Sequence, residues 1–162
     1  ASQALVSKRI NCPVATGERL NNLWEYKELL SYGVPIHVRP DLGMSGGLSM
    51  CKKIAAVAES HHAGVVPHNF LGPGITAPTL HLCLTIPNLV TMEYLPLDED
   101  KSSSSGLIKT AVVRSGGFMT APEAVGLGIE LVGNARDYKV GTQKPISSEG
   151  HLRADGSIAR SV

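Results

Sequence analysis

Residues 35–68 read PIHVRPDLGMSGGLSMCKKIAAVAESHHAGVVPH, and this stretch decides the fold. It opens on a short apolar run, Pro35-Ile36-His37-Val38, and closes on another, Gly64-Val65-Val66-Pro67. Neither run alternates, which suits a parallel strand covered on both faces. Between them the glycine-rich turn LGMSGG leads into a helix expected from about Leu48 to Ser60. Cys51, Ile54, Ala55 and Ala58 keep the i, i+3, i+4, i+7 spacing of a helix packed on a sheet. Strand, helix, strand is therefore the repeating unit, with a right-handed crossover.

The unit recurs along the chain. Pro13-Val14-Ala15-Thr16 runs into Glu18, the two runs above into Asp41 and His68, and Asn88-Leu89-Val90-Thr91 into Glu93. The intervals between these ionisable residues are 23, 27 and 25 residues, about one strand plus one helix. Asn21 or Asn22 can cap a helix that carries Leu23, Tyr26 and Leu30 and stops at Gly33. A further helix is expected from about Thr76 to Ile86, ended by Pro87-Asn88. Residues 1–9 read as the tail of a helix with Ala4, Leu5 and Lys8 on one face. Repetition of this kind argues an α/β fold with a parallel sheet. Functional residues in such sheets lie beyond the carboxyl ends of the strands, where all four ionisable residues fall.

Beyond Tyr94 the pattern changes. DEDKSSSSG (98–106) reads as a mobile polar loop, and GGFMTAPEAVGLGIEL (116–131) as one or two strands with turns. From about Gly133 the chain is polar and poorly patterned.

At 162 residues the chain is long enough for one domain with a real core. Charged residues make up 18%, below the usual share of about 25%, so part of the surface is expected to be covered by something else. The net charge of +1, with no basic run longer than the doublets Lys8-Arg9 and Lys52-Lys53, argues against a nucleic-acid footprint. No run approaches the ~18 apolar residues of a membrane span, and the N-terminus lacks the apolar core of a signal peptide. Cys12, Cys51 and Cys83 are odd in number and far apart, neither a disulfide framework nor a CxxC site. All three are expected to be buried thiols in a reducing compartment, which places the protein in the cytoplasm.

Each rim residue admits more than one reading. Glu18 is a hard oxygen donor suited to Mg2+, a helix-start carboxylate or an ion-pair partner. Asp41 and His68 lie one βα unit apart, so adjacent parallel strands would bring them together. A carboxylate on a histidine ring nitrogen fixes the tautomer and makes a base suited to neutral pH. The alternative is a structural histidine. Glu93 can be a second acid, a hydrogen-bond donor to a substrate carboxylate or a rim ion pair. The remaining histidines carry less: His61-His62 ends a helix, His37 is mid-strand, His81 mid-helix, and His151 lies in the polar tail.

The segments PVATGERL (13–20), RPDLGMSGGL (39–48), VVPHNFLGP (65–73), IPNLVTMEY (86–94) and GLGIE (126–130) resemble the enolase superfamily. Within it they are similar to the mandelate racemase subgroup, in particular to sugar-acid dehydratases of the galactonate dehydratase type. The resemblance implies a TIM (β/α)8 barrel, of which this chain holds strands five to eight in residues 1–96. Residues 97–162 then form the polar loop and a C-terminal extension packing toward a capping domain. It implies Glu18 as one of three Mg2+ carboxylates, Asp41 and His68 as a proton-moving dyad, and Glu93 as the acid that stabilises the enolate oxygen. Arg39 and Asn69 are implied as substrate contacts, Arg39 standing where many relatives carry Gln.

The implied activity is that of a hydro-lyase. The enzyme removes the proton alpha to the carboxylate of an aldonate and expels the beta-hydroxyl as water. A racemase or epimerase of acid sugars would use the same rim. A complete barrel needs about 250 residues, so four units leave open edges. The sequence is therefore expected to be part of an enzyme whose N-terminal half is its partner, homo-oligomeric when complete, or else an inactive truncated product.

Overall fold

A computed structural model describes residues 2–33, 37–70, 72–95, 104–110, 112 and 114–134. Helix α1 covers Ser2–Ser7, followed by strand β1 at Ala15–Thr16, helix α2 at Leu23–Ser31 and strand β2 at His37–Val38. Helix α3 (Gly47–Ser60), strand β3 (Gly64–Val65) and helix α4 (Pro73–Cys83) complete the repeat. The three strands form one parallel sheet in the order β1-β2-β3.

The register matters more than the short strand lengths. Val38 pairs with Val65, and an isolated parallel bridge pairs Asp41 with His68 three residues further on each chain segment. A second bridge joins Val65 to Leu89. The Val65 N–H donates to Asn88 O at 2.8 Å, and the Val90 N–H donates to Val65 O at 3.0 Å. The expected fourth strand is thus present as an edge pairing of Asn88–Val90, without the length of a regular strand. Among the described residues the sheet does not close into a barrel, and Val90 remains 52% exposed.

The helices form for local reasons. Asn22 caps α2 by accepting from the Glu25 N–H at 3.1 Å, while the Glu25 carboxylate accepts from the Asn21 N–H at 2.7 Å. Helix α3 buries Cys51, Ile54, Ala55 and Ala58, the stripe expected from the sequence. Helix α4 starts three residues before Thr76 and stops three before Ile86. Pro73, preset for the first helical position, sets the start, and Pro78 is accommodated inside the helix.

Val38 and Val65 join Tyr26, Leu30, Ile54, Leu82 and their neighbours in one core between the sheet and its helices. Ala4 is buried, whereas Leu5 is 63% exposed, so α1 does not bury the face expected of it. Cys51 and Cys83 are buried, but Cys12 is exposed, because it precedes β1 in an irregular segment outside the core.

Of the polar loop at 98–106, residues up to 103 lie outside the described residues, and Ser104–Leu107 form a 3-10 turn. Strand β4 (Ile108–Thr110) pairs antiparallel with β7 (Glu130–Leu131), and β5 (Arg114–Ser115) forms a hairpin with β6 (Phe118–Met119). Strands β6 and β7 are the two expected within 116–131, and β4 and β5, which precede that stretch, are added partners. The chain divides after Val132; all these elements belong to the first unit. Among the described residues no helix is long and apolar enough to cross a membrane.

Candidate active site

Asp41 follows β2 and is 1% exposed. Its Oδ1 accepts from the Gly43 N–H at 2.7 Å and the Met44 N–H at 3.1 Å, which fixes the carboxylate in an Asx turn. Its Oδ2 lies 2.7 Å from His68 Nδ1. With a carboxylate as acceptor, Nδ1 carries the proton, and Nε2 of the neutral ring presents a lone pair away from Asp41. The His68 ring stacks on Phe70, centroids 6.0 Å apart and planes 16° from parallel. The His68 main-chain N–H donates to Pro40 O at 3.0 Å, so backbone and ring are both fixed.

Glu93 reaches the same corner from the end of the edge segment. Its Oε2 lies 3.9 Å from His68 Nε2 and 2.8 Å from Arg39 Nη2. The Asn69 main-chain N–H donates to that same oxygen at 2.9 Å. Three strand ends therefore converge on one carboxylate oxygen. Arg39 Nε is buried without a hydrogen-bond partner. Asn69, expected at the substrate, turns its carboxamide into the protein: Nδ2 donates to Thr76 Oγ1 at 3.0 Å. Only its main-chain N–H reaches the rim.

Glu18 stands two residues beyond β1, half-buried, and lines a cavity of about 100 Å3 with Gln3, Thr16, Arg19 and Leu29. No hydrogen bond or ion pair joins it to the Asp41–His68–Glu93 cluster among the described residues. Its approach is set by Gly17, whose φ of +124° only glycine adopts freely. Tyr26, wholly buried, donates its hydroxyl to Gly17 O at 2.7 Å and so ties the end of β1 to α2. Burial pushes the Tyr26 hydroxyl well above its ordinary ionisation range. The hydrogen bond to Ser45 partly opposes this, and the charges of Glu18 and Asp41 add to it.

As a metal donor Glu18 has the right chemistry, a hard carboxylate oxygen at a strand end. Among the described residues no group of three or more His, Cys, Asp or Glu could hold a metal ion. Glu18 thus fits one ligand of a Mg2+ site and not a whole one. The supports of the site, Tyr26, Phe70 and Thr76, carry no signal in the sequence. Tyr26 reads there as an ordinary core residue, and Phe70 and Thr76 as turn and helix residues.

The enolase C-terminal domain-like family matches residues 1–135. This chain belongs to that family. As an enolase-superfamily protein it is 32% identical over 154 residues to the D-galactonate dehydratase of Xanthomonas campestris pv. campestris (strain B100). That match covers 91% of this chain and 40% of the relative. The D-galactonate dehydratase of Ralstonia nicotianae is 30% identical over 135 residues, covering 80% of this chain and 35% of the relative. The chain thus spans 35–40% of the length of these curated relatives. Among solved structures, an enolase from Agrobacterium radiobacter, holding sodium and L-malate, superposes with a TM-score of 0.81 at 28% identity. It covers 98% of this chain and 43% of that one. A mandelate racemase/muconate lactonizing enzyme from Jannaschia sp. CCS1 gives a TM-score of 0.77 at 32% identity, covering 88% and 36%.

Proposed function

We propose that this chain is the C-terminal part of a sugar-acid dehydratase acting on an aldonate. The observation that carries the reading is the Asp41–His68 hydrogen bond of 2.7 Å, with Glu93 beside His68 Nε2. A proton alpha to a carboxylate is too weakly acidic to remove unaided. His68 Nε2 takes that proton, and Asp41 holds the ring and stabilises the imidazolium that forms. The electron pair moves toward the carboxylate, where Arg39 and Glu93 border the developing charge. The beta-hydroxyl then leaves as water with the proton that His68 Nε2 has taken up, which returns His68 to its neutral form, and the resulting enol becomes the 2-keto acid. Asn69 keeps Glu93 in place through its main-chain N–H.

Glu18 would hold Mg2+ together with carboxylates from outside the described residues. Bound there, the ion supplies positive charge to the substrate carboxylate. Residues 1–96 correspond in this reading to barrel strands five to eight, and 97–162 to an extension toward a capping domain. The N-terminal half of the same enzyme closes the barrel, and the complete enzyme is a cytoplasmic homo-oligomer. The D-galactonate dehydratase names of the relatives and the L-malate in the Agrobacterium enolase support an acid substrate.

The test is dehydration of D-galactonate by the complete enzyme carrying this sequence, with His68→Asn beside it. The variant should lose turnover by about 10^2- to 10^4-fold while keeping its metal affinity. Normal turnover by His68→Asn would remove His68 from the mechanism. Solvent deuterium entering the substrate without loss of water would instead mark a racemase.

A further inference from the structure

Arg39 and Glu93 share one contact, and it leaves each residue incompletely used. Arg39 Nη2 lies 2.8 Å from Glu93 Oε2, while the Nε of the same guanidinium is buried with no acceptor. A carboxylate that met Nε and Nη2 side by side would satisfy both arms of that fork. Glu93 meets only one. On the other side, Glu93 Oε2 accepts from both Arg39 Nη2 and the Asn69 N–H at 2.9 Å. The Glu93 oxygen nearest the proton-moving nitrogen of His68 is thus an acceptor twice over and cannot itself donate a proton.

We propose that Arg39 is a positioning and specificity residue that the substrate carboxylate draws off Glu93, and that Glu93 takes up a proton as Arg39 leaves. The idea rests on the dehydratase reading of this site and adds to it the way an anionic substrate prepares its own acid. The free site holds an Arg39–Glu93 ion pair. An entering carboxylate occupies the Nε–Nη2 fork, which satisfies the orphaned Nε–H. Glu93 is then left beside a second anion without its cation, and a carboxylate so placed is neutralised by a proton from solvent. The groups facing Glu93 are Arg39 from just beyond β2, the Asn69 N–H and His68 from beyond β3, with Asp41 behind His68. None of the others can replace the lost cation unless His68 is protonated, and His68 must be neutral to act as a base. The protonated Glu93 then donates toward the substrate oxygen on which charge develops.

The probe is L-malate, the acid held by the Agrobacterium enolase, titrated calorimetrically into the complete Mg2+-loaded enzyme in buffers of different ionisation enthalpy, with absorbance used to check that no fumarate forms. Binding should take up about one proton more in the wild type than in Glu93→Gln. Arg39→Gln should lose that extra uptake and bind L-malate roughly 10- to 100-fold more weakly, the size of one charge-assisted hydrogen bond. Arg39→Lys should recover part of the affinity. Equal proton uptake by wild type and Glu93→Gln, or unchanged affinity in Arg39→Gln, overturns the proposal. Failure of the wild type to dehydrate any aldonate falls on the reading of the site and takes this proposal with it. Normal turnover without proton uptake falls on the proposal alone.

Discussion

Asp41 and His68 meet twice, as register partners in the parallel sheet and through side chains 2.7 Å apart. The first meeting causes the second. Parallel pairing of Val38 with Val65 carries forward three residues and sets the two side chains against each other. The dyad therefore depends on the strand register and not on a flexible loop.

Asp41 does two jobs that substitution can separate. Asp41→Asn keeps Oδ1 for the Gly43 and Met44 N–H groups but removes the carboxylate from His68. Turnover should fall by about 10^2- to 10^4-fold with little change in the urea midpoint. Asp41→Ala should lose about 1–2 kcal/mol of stability besides, because the turn loses its acceptor. Equal stability of the two variants would deny the turn its role.

Gly17 and Tyr26 place Glu18. A Cβ on Gly17 would sit 2.8 Å from Tyr26 Cε1, and the φ of +124° disfavours any other residue. Gly17→Ala should cost about 1–3 kcal/mol and weaken Mg2+ binding, read by denaturation and metal titration of the complete enzyme. Tyr26→Phe, which leaves the Gly17 carbonyl with the Leu20 N–H at 2.9 Å as its remaining donor, should cost about 0.5–1.5 kcal/mol. Unchanged metal affinity in both would show that Glu18 does not depend on this tether.

Asn69 separates a structural amide from a substrate contact. Its side chain is 1% exposed and bonded to Thr76, and its main-chain N–H holds Glu93. Asn69→Ala should lower stability by about 1–3 kcal/mol while KM stays within about threefold of the wild type. A large rise in KM with unchanged stability would mean that the amide reaches the substrate.

The thiols predict a reactivity pattern and a pH dependence. Burial pushes Cys51 and Cys83 up to about 12, while Cys12 is exposed. A thiol reagent should modify Cys12 at once, and the other two only on unfolding. An unfolded thiol ionises near pH 8.5, so the stability held by these neutral thiols is complete below that pH. It is lost between about pH 8.5 and 12, by up to about 1.4 kcal/mol per pH unit for each thiol. Replacing both by alanine should flatten this alkaline slope in chemical denaturation.

Much of the fold was legible because its signals are local. Helix α3 shows its buried stripe in the spacing of Cys51, Ile54, Ala55 and Ala58, and Asn22 announces the start of α2. The start of α4 was harder, since two prolines at 73 and 78 each suit a first turn and only packing chooses between them. Cys12 looked like its two buried namesakes because residue type says nothing about which segment the core will cover. The strand-end positions of Asp41, His68 and Glu93 followed from spacing alone, but the turned-in amide of Asn69 did not.

The sequence by itself determined the repeating βα unit, the family, and which ionisable residues stand at the strand ends. Periodicity and spacing along one chain are enough for that. Only the tertiary structure decided what those residues do to one another. It joined Asp41 to His68, gave Glu93 to Arg39 and the Asn69 N–H, and left Glu18 apart from the other three. Charge pairing depends on distances of a few ångströms between segments some 25 residues apart. Register and side-chain direction set those distances, and neither is written in any one segment.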